Sequence, residues 1–237
     1  MAKMGCDDNE TYFAMLQDGG VGLRESAELL HCITGQQKKL FCDPVLVNLI
    51  EQFLAERIES LAKGICSLDL WSAGCGSGAE AWTLVMLAKA AIERQQASLH
   101  YGVIGTDISS SVLQEARRAV YREDDLSQVP ADHRVHGLKA IDTQHSRIVD
   151  ELAERVCFVQ SNLVTAEELL GIDMDVIVCR DVLTYYCQES KYRILDCLAD
   201  HLKPGGLLVV GAGESGGWTR AGVHTVSVGK LEAYIRQ

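Results

Sequence analysis

From Ser67 to the end of the chain, short apolar runs bounded by glycine, proline or polar residues alternate with longer segments whose apolar positions recur every three or four residues. This pattern predicts strands over 67–72, 100–106, 156–159, 174–179 and 206–211, and helices over 79–95, 110–119, 165–170 and 188–202. Alternation of this kind implies an α/β fold in which a mostly parallel sheet is covered by helices on both faces. The helix at 188–202 is expected to stop at Lys203-Pro204-Gly205-Gly206, because proline cannot continue it and the glycines permit a reversal. Val223–Val228 and Leu231–Ile235 read as two further strands that close the sheet with an antiparallel edge. Ahead of this region, Tyr12, Phe13 and Leu16, then Leu46, Leu49, Ile50 and Phe53, fall at helical spacing, so residues 1–62 read as a short helical N-terminal lead-in to a domain over 63–237. Between Tyr121 and Arg155 the periodicity fails, which predicts an excursion or small subdomain at about 122–155.

Composition narrows the class of partner. A chain of 237 residues with 47% hydrophobic content is long enough to bury a full core without a metal or disulfide staple. The net charge of −11 argues against a nucleic-acid surface, which needs clustered Lys and Arg. Nine cysteines with no CxxC pair read as free or buried thiols of a reducing compartment. His133, His136 and His145 are loosely spaced and lack a cysteine partner, so they read as solvated loop histidines and no metal is expected. The first residues lack a basic segment leading into an apolar one, and no run of 18 apolar residues occurs, so the expectation is a cytoplasmic protein that is not membrane-integral.

The chemistry concentrates where the first strand of the alternating region breaks into glycines, at Leu68-Asp-Leu-Trp-Ser-Ala-Gly-Cys-Gly-Ser-Gly78. A glycine turn opening a helix presents backbone N–H groups and allows close approach of a nucleotide-like ligand. Asp107, ending the second strand, is placed to accept hydrogen bonds from ribose hydroxyls. Such a loop also occurs in nicotinamide enzymes, whose usual spacing is G-x-G-x-x-G/A, whereas Gly74, Gly76 and Gly78 read G-x-G-x-G. That spacing resembles the first motif of class I S-adenosylmethionine (SAM) methyltransferases, which have a Rossmann-like sheet. Glu80 can accept a hydrogen bond from a cofactor ammonium, or simply complement the helix dipole in the first turn.

Read together, five segments resemble in order the chemotaxis receptor methyltransferases, the CheR family. They are Leu70 to Glu80, Gly105-Thr-Asp-Ile-Ser109 leading to Ala116–Tyr121, Val156 to Leu163, Asp175 to Tyr185, and Leu202 to Gly211 running on through Gly213-Glu-Ser215. The resemblance implies a helical N-terminal domain joined to a SAM-binding α/β domain with a small inserted β-subdomain. The implied activity is methylation of glutamate side chains on the cytoplasmic helices of chemoreceptors, with S-adenosylhomocysteine as product. It further implies that Ala73 and Gly74 border the cofactor, Glu80 meets its amino group, Asp107 its ribose, Asn162 and Leu163 its adenine, and Arg180 and Asp181 its methionine end. Asn162 can instead cap the helix that follows, and Arg180 can serve as a surface ion-pair partner. Tyr185 matches the tyrosine that closes the family's fourth-strand motif and is the candidate catalytic residue, orienting the acceptor.

Three departures from the family pattern bear on the acceptor. The family's Thr-x-Phe-Phe-Arg-Asp-Pro segment reads Lys38-Lys39-Leu40-Phe41-Cys42-Asp43-Pro44 here, so a thiol stands where an arginine is expected. A thiol cannot form the bidentate pair that arginine offers a carboxylate, and Lys38 or Lys39 is the candidate replacement, with two solvated lysines as the alternative. Asp181 stands where the family has Asn and adds a negative charge beside the transfer site. Alternatives to glutamate methylation are therefore a divergent methyltransferase with another protein or small-molecule acceptor, and a SAM-binding regulatory module without turnover.

Overall fold

In the computed structural model the described residues are 8–16, 22, 25–26, 29, 38–61, 67–168 and 171–237. Seven strands form one sheet: β1 (Ser67–Ala73), β2 (His100–Asp107), β6 (Val156–Gln160), β7 (Met174–Cys179), β8 (Leu202–Val210), β9 (Val223–Val228) and β10 (Leu231–Arg236). Their order is β6-β2-β1-β7-β8-β10-β9, parallel from β6 to β8, with β10 and β9 added antiparallel at the edge. The strand order reverses at β1, between β2 and β7, and open α/β sheets bind ligands at the carboxyl ends of the strands flanking such a reversal.

Both faces of this sheet are covered, which explains why its central strands read as near-continuous apolar runs. Every residue of β7 is buried, with Val176 and Val178 facing one core and Ile177 and Cys179 the other. On the first face lie α2 (Pro44–Leu61) and α3 (Ala79–Arg94), which pack on each other and on the sheet. Leu46, Leu49, Ile50, Leu54 and Ile58 give α2 one apolar stripe. On the second face α7 (Gln188–Asp200) buries Ile194, Leu195 and Leu198 beside Trp71 and Trp218. The shorter helices α1 (Asn9–Leu16), α4 (Ser110–Arg118), α5 (Ala131–Gly137) and α6 (Asp150–Ala153) complete the set described.

The 122–155 region holds a second sheet of three short antiparallel strands in the order β3-β5-β4: β3 (Val120–Arg122), β4 (Leu138–Ala140) and β5 (His145–Ile148). It is braced to the main domain by Tyr121, whose buried hydroxyl donates 2.7 Å to the Ser77 carbonyl of the glycine loop. His133, expected to be a solvated loop residue, is half-buried and packs its ring 4.9 Å from that of Phe41.

Several boundaries differ from expectation, most of them by one residue. The helix at 188–202 ends at Asp200, and β8 starts at Leu202 rather than 206. Extended backbone through Lys203-Pro204 lets the Lys203 ammonium reach Asp69 and Asp175, each at 2.7 Å. Asp175 is fully buried and also accepts from Arg57 of α2 at 2.8 Å, so this ionic cluster fastens α2 to the base of the sheet. The helix expected at 165–170 is a 3-10 helix over Leu163–Glu168 with a kink at Thr165, and residues 169–170 lie outside the described set.

Candidate functional site

The site grows from the carboxyl end of β1. Ala73 is buried, and after it Gly74, Gly76 and Gly78 adopt φ of +80°, +53° and +86°, the left-handed region where a side chain is strained. Space is also lacking: a Cβ at Gly74 stands 2.3 Å from Val182 Cγ2, and one at Gly78 stands 2.9 Å from Ala116 Cβ. The Gly74 and Cys75 N–H groups both donate to the Thr106 carbonyl, at 2.7 and 2.8 Å. Asp107 clasps the loop from β2: Oδ2 accepts from Gly76 N at 3.0 Å and Oδ1 from Ser109 N at 2.9 Å.

Glu80 lies in the first turn of α3 and accepts a 2.7 Å hydrogen bond from Ser72 Oγ. Burial pushes its carboxyl above the usual range, against the pull of the Ser72 hydroxyl and the Arg180 guanidinium, while Asp181 and Glu214 push it further up. These electrostatic couplings place three carboxylates and one guanidinium in a single neighbourhood. Arg180, at the end of β7, is 16% exposed and pairs with Asp43 Oδ2 at 2.8 Å. Asp43 also caps α2, its Oδ1 accepting from Val45 N at 2.9 Å and Leu46 N at 3.2 Å, with Pro44 at the first helical position.

The loop after β7 is organised by Glu214. This buried carboxylate accepts from the N–H groups of Asp181 (2.8 Å), Thr184 (3.0 Å) and Gly211 (3.1 Å), and so holds Asp181 at a φ of +60°, a conformation Asp tolerates better than most residues. Tyr185 follows on a single 3-10 turn, Leu183–Tyr185, with Leu183 fully buried beneath it and the Tyr185 side chain 49% exposed. At the end of β6, the Asn162 side chain accepts from Val164 N at 3.0 Å, the capping role that was its alternative reading, and Leu163 is buried.

The sequence-derived residues are thus distributed around the carboxyl ends of β1, β2, β6 and β7. Two further residues of this neighbourhood, Asp43 and Glu214, stand within the motifs quoted from the sequence but were given no role there. Asp-Pro at a helix start is a legible capping signal for the first, whereas nothing local marks Glu214 as the organiser of a loop 33 residues earlier. Lys38 does not take the place of the expected arginine: it is exposed and pairs with Glu115 at 3.4 Å. Lys39 is exposed as well. Cys42 is half-buried; burial raises its thiol pKa, and it senses Arg180, Glu80 and Asp43.

This neighbourhood fits a cationic nucleoside cofactor. The glycine loop leaves room for close approach, and its carboxylates suit an ammonium and a sulfonium. Two buried polar atoms just past the strand ends, Ser161 Oγ after β6 and Arg180 Nε after β7, have no partner among the described residues and can bond a ligand. Comparison with known proteins agrees: residues 36–223 match the family model described as CheR methyltransferase, SAM binding domain. The chain belongs to the CheR methyltransferase family.

The family match contains the glycine loop, the three-stranded sheet, Glu214 and all three departures, Lys38, Cys42 and Asp181. A chemotaxis protein methyltransferase of Borreliella burgdorferi is 30% identical over 170 residues, 72% of this chain and 59% of that protein. One from Listeria innocua is 28% identical over 188 residues, 79% of this chain and 68% of its own, and one from Klebsiella aerogenes 32% over 150 residues, 62% and 51%. The chain therefore spans 59% of the length of the Borreliella relative. Among solved structures, magnesium protoporphyrin IX methyltransferase of Synechocystis with bound SAM aligns at a TM-score of 0.40 and 17% identity, covering 98% of this chain and 92% of that one.

Proposed function

We propose that this CheR-family chain methylates glutamate side chains on the cytoplasmic helices of chemoreceptors, working in the cytoplasm with SAM as donor and forming methyl esters. The observation that carries the reading is the convergence of Glu80, Asp107, Arg180 and the Glu214-held loop on the carboxyl ends of the central strands. Glu80 holds the cofactor's ammonium, Asp107 its ribose, and Asn162 and Leu163 border its adenine. Arg180, with its Nε unpartnered among the described residues, binds the cofactor's carboxylate.

When bound, SAM supplies a methyl group on a positively charged sulfur. An acceptor glutamate is ionised at neutral pH, so its oxygen needs no general base. The work left to the protein is alignment of that oxygen with the methyl carbon and removal of water from it. Tyr185, on a one-turn helix anchored by buried Leu183, presents its hydroxyl at the rim and donates a hydrogen bond that orients the acceptor.

The test is transfer of labelled methyl from SAM to chemoreceptor-containing membranes, followed by mild base. Base-labile methanol release supports the ester; absence of transfer to intact receptor sinks the reading. The added carboxylate of Asp181 favours a second reading, transfer to a neutral or cationic acceptor, and a base-stable methyl product identifies that outcome.

A further inference from the structure

The departure at Asp181 has a consequence for the cofactor itself. Among the described residues, the charges that act on Glu80 include those of Arg180, Asp181 and Glu214. Arg180 is the cation of this group, and Asp43 already takes one side of its guanidinium at 2.8 Å. Glu214 is committed to three backbone N–H groups, which fix the Asp181 backbone and hence the root of its side chain. Asp181 is exposed on this loop and carries no structural duty through its carboxylate in any hydrogen bond described. Among the described residues, the carboxylates of Glu80, Asp43, Asp181 and Glu214 thus gather at this end of the sheet with the Arg180 guanidinium, and the loop bearing Asp181 packs on the glycine loop, where Val182 fills the space a side chain at Gly74 would need.

SAM and its product S-adenosylhomocysteine share the ammonium, the carboxylate, the ribose and the adenine. They differ at sulfur, where SAM is a sulfonium cation and the product a neutral thioether. The sulfur lies a few bonds from the ammonium, so a carboxylate beside the ammonium's partner also acts on the sulfur's charge. Contacts to the shared groups bind both molecules alike and cannot tell them apart; discrimination is left to contacts with the methyl group and to the charge on sulfur.

We propose that Asp181 sets the preference of this site for SAM over S-adenosylhomocysteine, weakening retention of the spent cofactor after each transfer. This rests on the SAM reading of the site but not on the identity of the acceptor. The pKa of Glu80 is raised chiefly by burial, and Asp181 and Glu214 add to that rise. Unit charges interacting over about 6–10 Å at a half-solvated site change an equilibrium constant by roughly four- to twentyfold.

The experiment is isothermal calorimetry of the whole chain with SAM and with S-adenosylhomocysteine, for wild type, Asp181→Asn and Asp181→Gly. Both substitutions are compatible with a positive φ, and they share only the loss of charge. The expected result is a fall in the ratio of the product's Kd to SAM's Kd by about five- to tenfold in both variants. Salt at about 0.5 M should lower the wild-type ratio and leave the variants nearly unmoved, because screening acts on the same charge. A ratio that changes less than about threefold in both variants overturns the proposal. Failure of wild type to bind either molecule overturns the cofactor reading itself, and is told apart because no ratio then exists.

Discussion

Replacing Glu214 by Gln removes one negative charge and puts a donor where an acceptor is needed. Glu214 Oε2 accepts from both Asp181 N (2.8 Å) and Gly211 N (3.1 Å), and Oε1 accepts from Thr184 N (3.0 Å). A glutamine can keep the Thr184 bond through its carbonyl oxygen, but its NH₂ then faces two N–H groups. The reverse orientation keeps two bonds and loses one, while turning the amide nitrogen against Thr184. With Glu214 only 6% exposed, water cannot readily take over, and each buried N–H left without an acceptor costs about 1–3 kcal/mol. One or two such losses, plus the weaker acceptance of an amide, amount to about 2–5 kcal/mol. In a domain of this size each kcal/mol lowers Tm by about 2–4 °C, so thermal unfolding followed by circular dichroism should show a drop of roughly 5–15 °C. The same variant should bind S-adenosylhomocysteine more weakly, because the loop bearing Asp181 and Tyr185 loses its anchor. A Tm within about 2 °C of wild type would refute the reasoning, since it would mean that the three bonds contribute almost nothing.

Three further outcomes follow from the geometry. Gly74→Ala sets a Cβ against Val182 at a φ of +80° and should cost about 2–4 kcal/mol in urea unfolding and weaken cofactor binding, with Val182→Ala restoring part of the loss. Because burial raises the Glu80 carboxyl above 4.5, the folded cofactor-free protein holds a proton that the unfolded chain has lost, so its stability falls as pH rises from that value through the raised one. Glu80→Gln should flatten this fall in a pH series of denaturation curves, and should also abolish the rise of SAM affinity across the same window that calorimetry detects in wild type. Asp175→Ala leaves Arg57 and Lys203 without their shared buried carboxylate and should cost about 3–5 kcal/mol, measured by urea unfolding.

The parallel core was legible because its strands are buried on both faces: the apolar run 174–179 and the observed β7 coincide, and β1 and β2 each differ from expectation by one residue. The start of β8 was misread because proline and two glycines signal a turn locally, whereas here the strand continues and the Lys203 ion pairs hold it extended. The three-stranded sheet was absent from the periodicity, since strands of three or four residues are too short to show a period, and only the family resemblance implied a small β-subdomain. Within the site, the glycines, Glu80 and Asp107 were visible because they follow one another along a single β-α-β unit, β1, α3 and β2. The Asp43–Arg180 pair and the Glu214 clasp join segments far apart in sequence, and only the folded sheet makes them neighbours.

Asp43 contributes one oxygen to the start of α2 and the other to Arg180, so the same side chain belongs to the first part of the domain to leave the ribosome and to one of its last central strands. During synthesis the α2 cap can form at once, but the arginine that completes the pair emerges much later. A nascent or truncated chain ending before β7 therefore has a ready helix and the glycine loop but lacks the arginine. The site closes in order: β7 adds to the free edge of β1 and delivers Arg180 to a carboxylate already waiting, and Glu214, arriving only after β8, then clasps the loop that follows.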